Sequence, residues 1–194
     1  MNISQYLAQH GTSEALSAAI GTSEQNDLEI PTWVIDWRNP PERRHLLNGS
    51  SQSKEWHAGF VHHHRQTICT SDVPGTLTLR GKRTHIIMAL SAPDHADPLP
   101  RSKDHRRHRK KVVLSDGHAA LTPYAAQQYD IVAVFLGFEV PFVLRHRPPP
   151  DQGWLLVGEC YVEHIMEAQA VDDVDWDTIT SKEPVMPLED FHLY

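Results

Sequence analysis

The sequence has little of what would hold a chain together without a hydrophobic core, and few of the signatures that announce an activity. Of its 194 residues only Cys69 and Cys160 are cysteines. Two thiols can pair only with each other, so a disulfide scaffold and a four-cysteine zinc site are excluded. No stretch approaches the ~18 consecutive apolar residues of a membrane span. The start, Met1-Asn2-Ile3-Ser4-Gln5, has neither the positive segment nor the apolar segment of a secretory signal. The expectation is a soluble, cytoplasmic protein that makes no use of a membrane. A Gly-rich phosphate loop, a serine elbow and a dinucleotide fingerprint are also missing. So are internal repeats and the helix–strand alternation of a nucleotide-binding sheet. No cofactor is implied.

What is present is ordinary globular composition, 40% hydrophobic and 22% charged, with an uneven distribution of charge. From Asp151 to Tyr194 there are eleven acids against one base, Lys182; between Arg101 and Lys111 lie seven of the eighteen Lys and Arg residues. That basic run contains no stacking aromatics, which argues against nucleic acid and for an exposed connector facing the acidic end. Residues 1–29 show apolar positions three and four apart and predict a helical arm. The central expectation is mainly β (α+β), a small, curved or barrel-like antiparallel sheet over residues 30–170, with peripheral N-terminal and C-terminal helices. Its strands are expected at Trp56 to Phe60, Arg65 to Cys69, Thr76 to Arg80, Thr84 to Leu90, Val112 to Leu114, Tyr129 to Leu136, Val140 to Arg145 and Trp154 to Val162. Gly75 and Gly81 read as turn residues, 91–111 as a flexible basic loop, and 171–194 as an acidic tail.

Several of these segments resemble one family. Asp130-Ile131-Val132-Ala133-Val134-Phe135-Leu136-Gly137, Val140-Pro141-Phe142-Val143-Leu144-Arg145, Leu156-Val157-Gly158-Glu159-Cys160-Tyr161-Val162 and Ile165-Met166-Glu167 are similar to the C-terminal β region of fungal heterokaryon incompatibility (HET) proteins. There an Asp-led hydrophobic strand runs to "PFVLR", and an "LVGE-x-YV" strand to "GIM". Ile30-Pro31-Thr32-Trp33-Val34-Ile35-Asp36-Trp37 is similar to the family's "LPSWVPDW". This chain departs where the family often has Gly before the strand Asp, carrying Tyr129, and where many relatives have His-Gly before Ile-Met, carrying Glu163-His164. The resemblance implies a β module without the family's N-terminal HET domain.

Fourteen histidines are many for this length and supply the metal and proton-transfer candidates. On a strand His62 and His64 share a face, and with His85 from a neighbouring strand they could bind zinc; solvent-facing histidines are the simpler alternative. Cys160, in an apolar strand, reads as a small hydrophobe in preference to a thiolate partner of His164. Glu159 lies in an apolar run and must be paired if buried, with Arg145 the expected partner. Otherwise Glu159, Arg145, His64 and His85 would be acid–base groups. Trp33, Trp37, Trp56, Phe142 and Tyr161 either close the core or line an aromatic pocket for a flat organic ligand.

Two functions follow. The first is a stand-alone HET-like module that binds or regulates another protein. The second is a cyclase, isomerase or dehydratase of fungal secondary metabolism, acting on an aromatic small molecule. A filled core with an exposed apolar patch would favour the first, and an enclosed cavity the second. An exposed edge strand would make a homodimer easy to form.

Overall fold

Ile131-Val132-Ala133-Val134-Phe135 is β-branched and aromatic with no polar member, so as a strand it must be covered on both faces. In the computed structural model it is, all five residues being buried. The structure describes residues 31–33, 56–62, 64, 69–70, 75–90, 109–147, 152–181 and 187–194. The expected helical arm 1–29, Trp37 and positions 91–108 of the basic loop lie outside the described residues. In chain order the strands are β1 (Cys69–Thr70), β2 (Leu77–Leu90), β3 (Arg109–Leu114), β4 (Ala119–Pro123), β5 (Ile131–Phe135), β6 (Phe142–His146), β7 (Trp154–Glu159) and β8 (Glu189–Leu193), with helix α1 (Trp176–Thr180) between the last two.

One sheet holds all eight strands in the order β4-β3-β2-β5-β6-β7-β8, with β1 also on β2. The first part of β2 pairs with β8, from Leu77 opposite Leu193 to Gly81 opposite Glu189. Its middle pairs with β5 and its end with β3. Because β7 meets β8 at Trp154–Leu193, the path through β2, β5, β6, β7 and β8 bends back on itself as a partial ring. That last pairing is parallel; the others are antiparallel, as expected. The β3–β4 hairpin is drawn toward the end of β7 by reciprocal backbone hydrogen bonds of 2.9 Å between Leu121 and Tyr161.

The alternation of β5 sorts its side chains into two cores. Ile131, Ala133 and Phe135 join Leu77, Leu79, Phe138, Phe142, Leu144, Leu156, Phe191 and Trp33; Val132 and Val134 join Val143, Val157, Val162, Ile165, Val171 and Ile179. In the first cluster Phe135 touches Phe138, Phe142 and Phe191 at centroid distances of 5.7, 5.4 and 5.5 Å, in edge-on or tilted contacts that phenyl rings favour.

Several expectations are corrected here. The runs Thr76 to Arg80 and Thr84 to Leu90 are one fourteen-residue strand, and Gly81 lies inside it. A Cβ at Gly81 would come 2.5 Å from the Val134 carbonyl oxygen, so glycine is required by close approach of the strands and not by a turn. Arg109, Lys110 and Lys111 belong to β3 and not to a loop. Trp56 to Phe60 is a turn. The expected C-terminal helix is, among the described residues, a single 3-10 turn, Glu163–Ile165, and the short helix α1. Finally, the described residues of 171–194 are no tail: Val171, Val174, Ile179, Leu188, Phe191 and Leu193 are buried, because acidic residues there are interspersed with apolar ones that face the core.

Candidate functional site

Four polar side chains from three separate elements meet at one edge of the molecule. His85 comes from β2 just after a register shift against β5 between Arg83 and His85, an irregularity that re-aims a strand side chain. Asp116 and His118 come from the turn joining β3 to β4. That turn is closed by Gly117 N–H donating to the Leu114 carbonyl at 3.0 Å and Leu114 N–H donating to His118 at 2.9 Å, with Gly117 at φ 86°, a value suited to glycine. Ile86 N–H donates to Ser115 Oγ at 3.2 Å and fastens the turn to β2. His164 is carried by the 3-10 turn after β7, anchored by buried Ile165.

The Asp116 carboxylate is the hub. Its Oδ2 lies 2.8 Å from His85 Nε2, 3.0 Å from His118 Nδ1 and 3.1 Å from His164 Nε2. The two Nε2 atoms of His85 and His164 are themselves 3.2 Å apart. Oδ1 accepts the backbone N–H of His118 at 3.0 Å, which sets the carboxylate's orientation. The His118 ring lies against that of His164 at 4.4 Å. Desolvation alone would raise the Asp116 carboxyl, but hydrogen bonds from the backbone and ring of His118 and the field and hydrogen bond of His85 outweigh it. They hold the group well below the usual carboxylate range. Burial pushes the His85 imidazole below its ordinary value; Asp116 opposes this, and His164 and His118 add to it. Such a cluster can share protons among its rings or present its lone pairs to a cation.

Of the residues singled out from sequence, the structure brings into this cluster His85 and also His164, which the sequence offers only beside Cys160. His62 is exposed at φ 47°, and His64 packs on Trp176 at 4.4 Å, so the expected His62, His64 and His85 set does not converge. Glu159 and Arg145 are not paired either. In the β6–β7 register Arg145 faces Leu155 while Glu159 faces Phe142. Arg145 instead grips Asp130 through Nε and Nη2 at 2.9 and 2.8 Å. Glu159 receives Arg109 Nη2 at 2.6 Å, and Nη1 of the same guanidinium reaches the Glu159 carbonyl at 2.6 Å. Cys160 is fully buried, and desolvation drives its thiol far above the ordinary value, which makes it a packing residue. Trp33, Phe142 and Tyr161 are buried, and Trp56 meets Tyr161 edge-on at 5.5 Å. These rings pack against the phenyl-rich cluster.

Sequence reasoning passed over Asp116 and, as a partner of His85, His164. The Asp-Gly-His turn after a strand was the available signal, but separations of 31 and 79 residues from His85 give no spacing to read. Arg80 was missed as well: it is 5% exposed on β2, holds Asp190 of β8 with bonds of 2.8 and 3.1 Å, and donates to the Ile179 carbonyl at 3.0 Å.

Residues 95–177 match the family described as the Het-6 beta-barrel domain. Over 72 residues the chain is 31% identical to heterokaryon incompatibility protein 6, OR allele, of Neurospora crassa, a stretch that is 37% of this chain and 11% of that protein. The chain therefore spans a small part of that relative's length. Both findings bear out the similarity to the C-terminal β region of HET proteins, and a barrel-like sheet agrees with it. No solved structure gives a significant match. Among the described residues no helix is long and apolar enough to cross a membrane.

Proposed function

We propose that this chain is a heterokaryon incompatibility-type β module that works by docking another protein on the outward row of β2. The observation that supports this reading is an uncovered apolar strip on a sheet whose other large apolar side chains are mostly buried. Ile86, Met88 and Leu90, alternate residues of β2, are 39%, 44% and 51% exposed, and Tyr129 beside them is 71% exposed. Tyr129 is placed by its own N–H donating to the Ile87 carbonyl at 2.8 Å, and Gln128 Nε2 bonds the Met88 carbonyl at 2.8 Å. The pairing of β2 with β3 shifts register between Ile87 and Ala89, and beyond that irregularity Met88, Ala89 and Leu90 are all exposed. An apolar strip of this kind with an aromatic residue at its edge suits a protein interface.

The competing reading, a cyclase, isomerase or dehydratase, needs an open aromatic chamber with an acid–base group inside. Phe135, Phe138, Phe142 and Phe191 instead pack ring on ring, and Glu159 is held by Arg109. That arrangement disfavours the enzyme.

Tyr129 offers a clean test because it sits at φ 71°, where a non-glycine residue carries a strain of roughly 1–2 kcal/mol. Tyr129→Gly should therefore leave stability equal or higher while it removes the exposed ring. Combined with Met88→Asp, it is expected to abolish capture of the partners that the wild-type chain retains from a fungal extract, with an unchanged or raised Tm. An identical captured set for both proteins would defeat the proposal. Sedimentation over a range of concentrations would show separately whether the occupant is a second copy of the chain.

A further inference from the structure

We propose that His85, Asp116 and His164 form a binding site for a divalent transition metal, zinc in the first place, which clasps β2, the β3–β4 turn and the turn after β7. Among the described residues this is the group of His, Cys, Asp and Glu side chains whose ligand atoms converge. The atoms His85 Nε2, Asp116 Oδ2 and His164 Nε2 make a triangle with sides of 2.8, 3.1 and 3.2 Å. A tetrahedral ion with bonds of about 2.0–2.1 Å separates its ligands by roughly 3.3 Å, and an octahedral one by roughly 2.9 Å. The triangle is close to both spacings. Two imidazole nitrogens facing one another at 3.2 Å present either like lone pairs or like N–H groups, unless a single proton or a cation lies between them. A cation above the triangle satisfies all three atoms at once.

The surroundings fit this reading. Two imidazoles and one carboxylate are a donor set suited to zinc and its first-row neighbours. Asp116 Oδ1 is occupied by the His118 N–H, so Oδ2 is the oxygen turned to the triangle, and the His85 side chain is only 10% exposed. The fourth position opens toward solvent beside His118, 64% exposed, whose Nδ1 lies within 3.0 Å of Oδ2. His85 Nδ1 is buried and, among the described residues, has no acceptor. A missing outer-shell bond of this kind weakens metal binding by about 10–100-fold, so the affinity expected is moderate. The clasp ties the turn after β7 to β2 and the β3–β4 turn, which the β2–β3 ladder already joins, and it does not depend on the docking role of β2.

The experiment uses the untagged full-length chain, stripped by a chelator, titrated with Co(II) by visible absorption and then competed with Zn(II). A ligand-field band saturating at a single equivalent is expected, displaced by Zn(II), together with a rise in Tm when Zn(II) is added. Asp116→Asn, an isosteric change, and His164→Ala, at a side chain 35% exposed, should each weaken binding of both ions by more than about 100-fold, beyond the outer-shell range. In chelator His164→Ala should unfold cooperatively near the wild-type Tm, and Asp116→Asn should still unfold cooperatively with a Tm lowered only by the lost bonds of that carboxylate, which separates lost binding from lost fold. His62→Ala with His64→Ala should leave the titration unchanged. The proposal is overturned if no band forms, if the band survives both Asp116→Asn and His164→Ala, or if it vanishes with His62 and His64.

Discussion

Asp130 shows how buried charge is managed in this sheet. It is 3% exposed, receives two bonds from Arg145 and accepts the Gln127 N–H at 2.7 Å. Removing one partner of a buried pair leaves the other charge uncompensated and costs about 3–5 kcal/mol. Arg145→Ala is therefore expected to lower the unfolding free energy by that amount in a denaturant titration. A double-mutant cycle should find Arg145 strongly coupled to Asp130 and additive with Glu159 to within about 0.5 kcal/mol. Coupling to Glu159 as large as that to Asp130 would contradict the β6–β7 register. The sequence revealed that Glu159 and Arg145 each needed a partner, because a charge among apolar neighbours must be neutralised. It could not reveal which partner, since the choice among four carboxylate–guanidinium pairs depends on register and on a strand, β3, that begins inside the basic run. Tyr129 and Glu163-His164 mark the departures from the HET pattern. The structure explains the first as an exposed ring on a left-handed backbone, and the second as the turn that carries His164 to Asp116.

The element that organises the sheet is β2. Its fourteen residues serve β8 first, β5 next and β3 last, with the change from β8 to β5 at Gly81. Gly81→Ala would drive a methyl to 2.5 Å from the Val134 oxygen and 3.0 Å from the Phe135 ring. Relieving that by strand displacement is expected to cost about 1–3 kcal/mol. Chemical denaturation measures it, and a neutral outcome would mean that the two strands are not so closely apposed. Periodicity located the β5, β6 and β7 strands because their apolar runs are long. It divided β2 because Gly-Lys-Arg mimics a turn, and it passed over β4 and β8 because Ala119–Pro123 and Glu189–Leu193 are short and mixed in character. Their pairing energy comes from neighbours, which a local window does not contain.

Among the described residues, acidic side chains of the C-terminal segment are paired across the sheet. The acidic end is matched by β2: Arg80 with Asp190, Lys82 with Asp173 and Arg83 with Glu189. The exposed pairs among these contribute little, typically below about 1 kcal/mol. What makes the C-terminal segment indispensable is apolar, since Phe191 contacts Phe135 and Leu193 is fully buried. Phe191→Ala is expected to cost about 3–5 kcal/mol by leaving a cavity in the phenyl cluster, and deletion of 187–194 to abolish cooperative thermal unfolding. A truncated chain with an unaltered Tm would show that the ring does not need β8.

By itself the sequence determined the β class, the central apolar strands and the kinship with HET proteins. Each follows from local composition, from alternation, or from short motifs in a preserved order. Only the tertiary structure decided which arginine meets which carboxylate, that the acidic end closes a sheet, and that His85, Asp116 and His164 share a site. Those outcomes depend on contacts between residues tens of positions apart, whose register is set by packing of both faces of β5 at once and leaves no trace in any single stretch of chain.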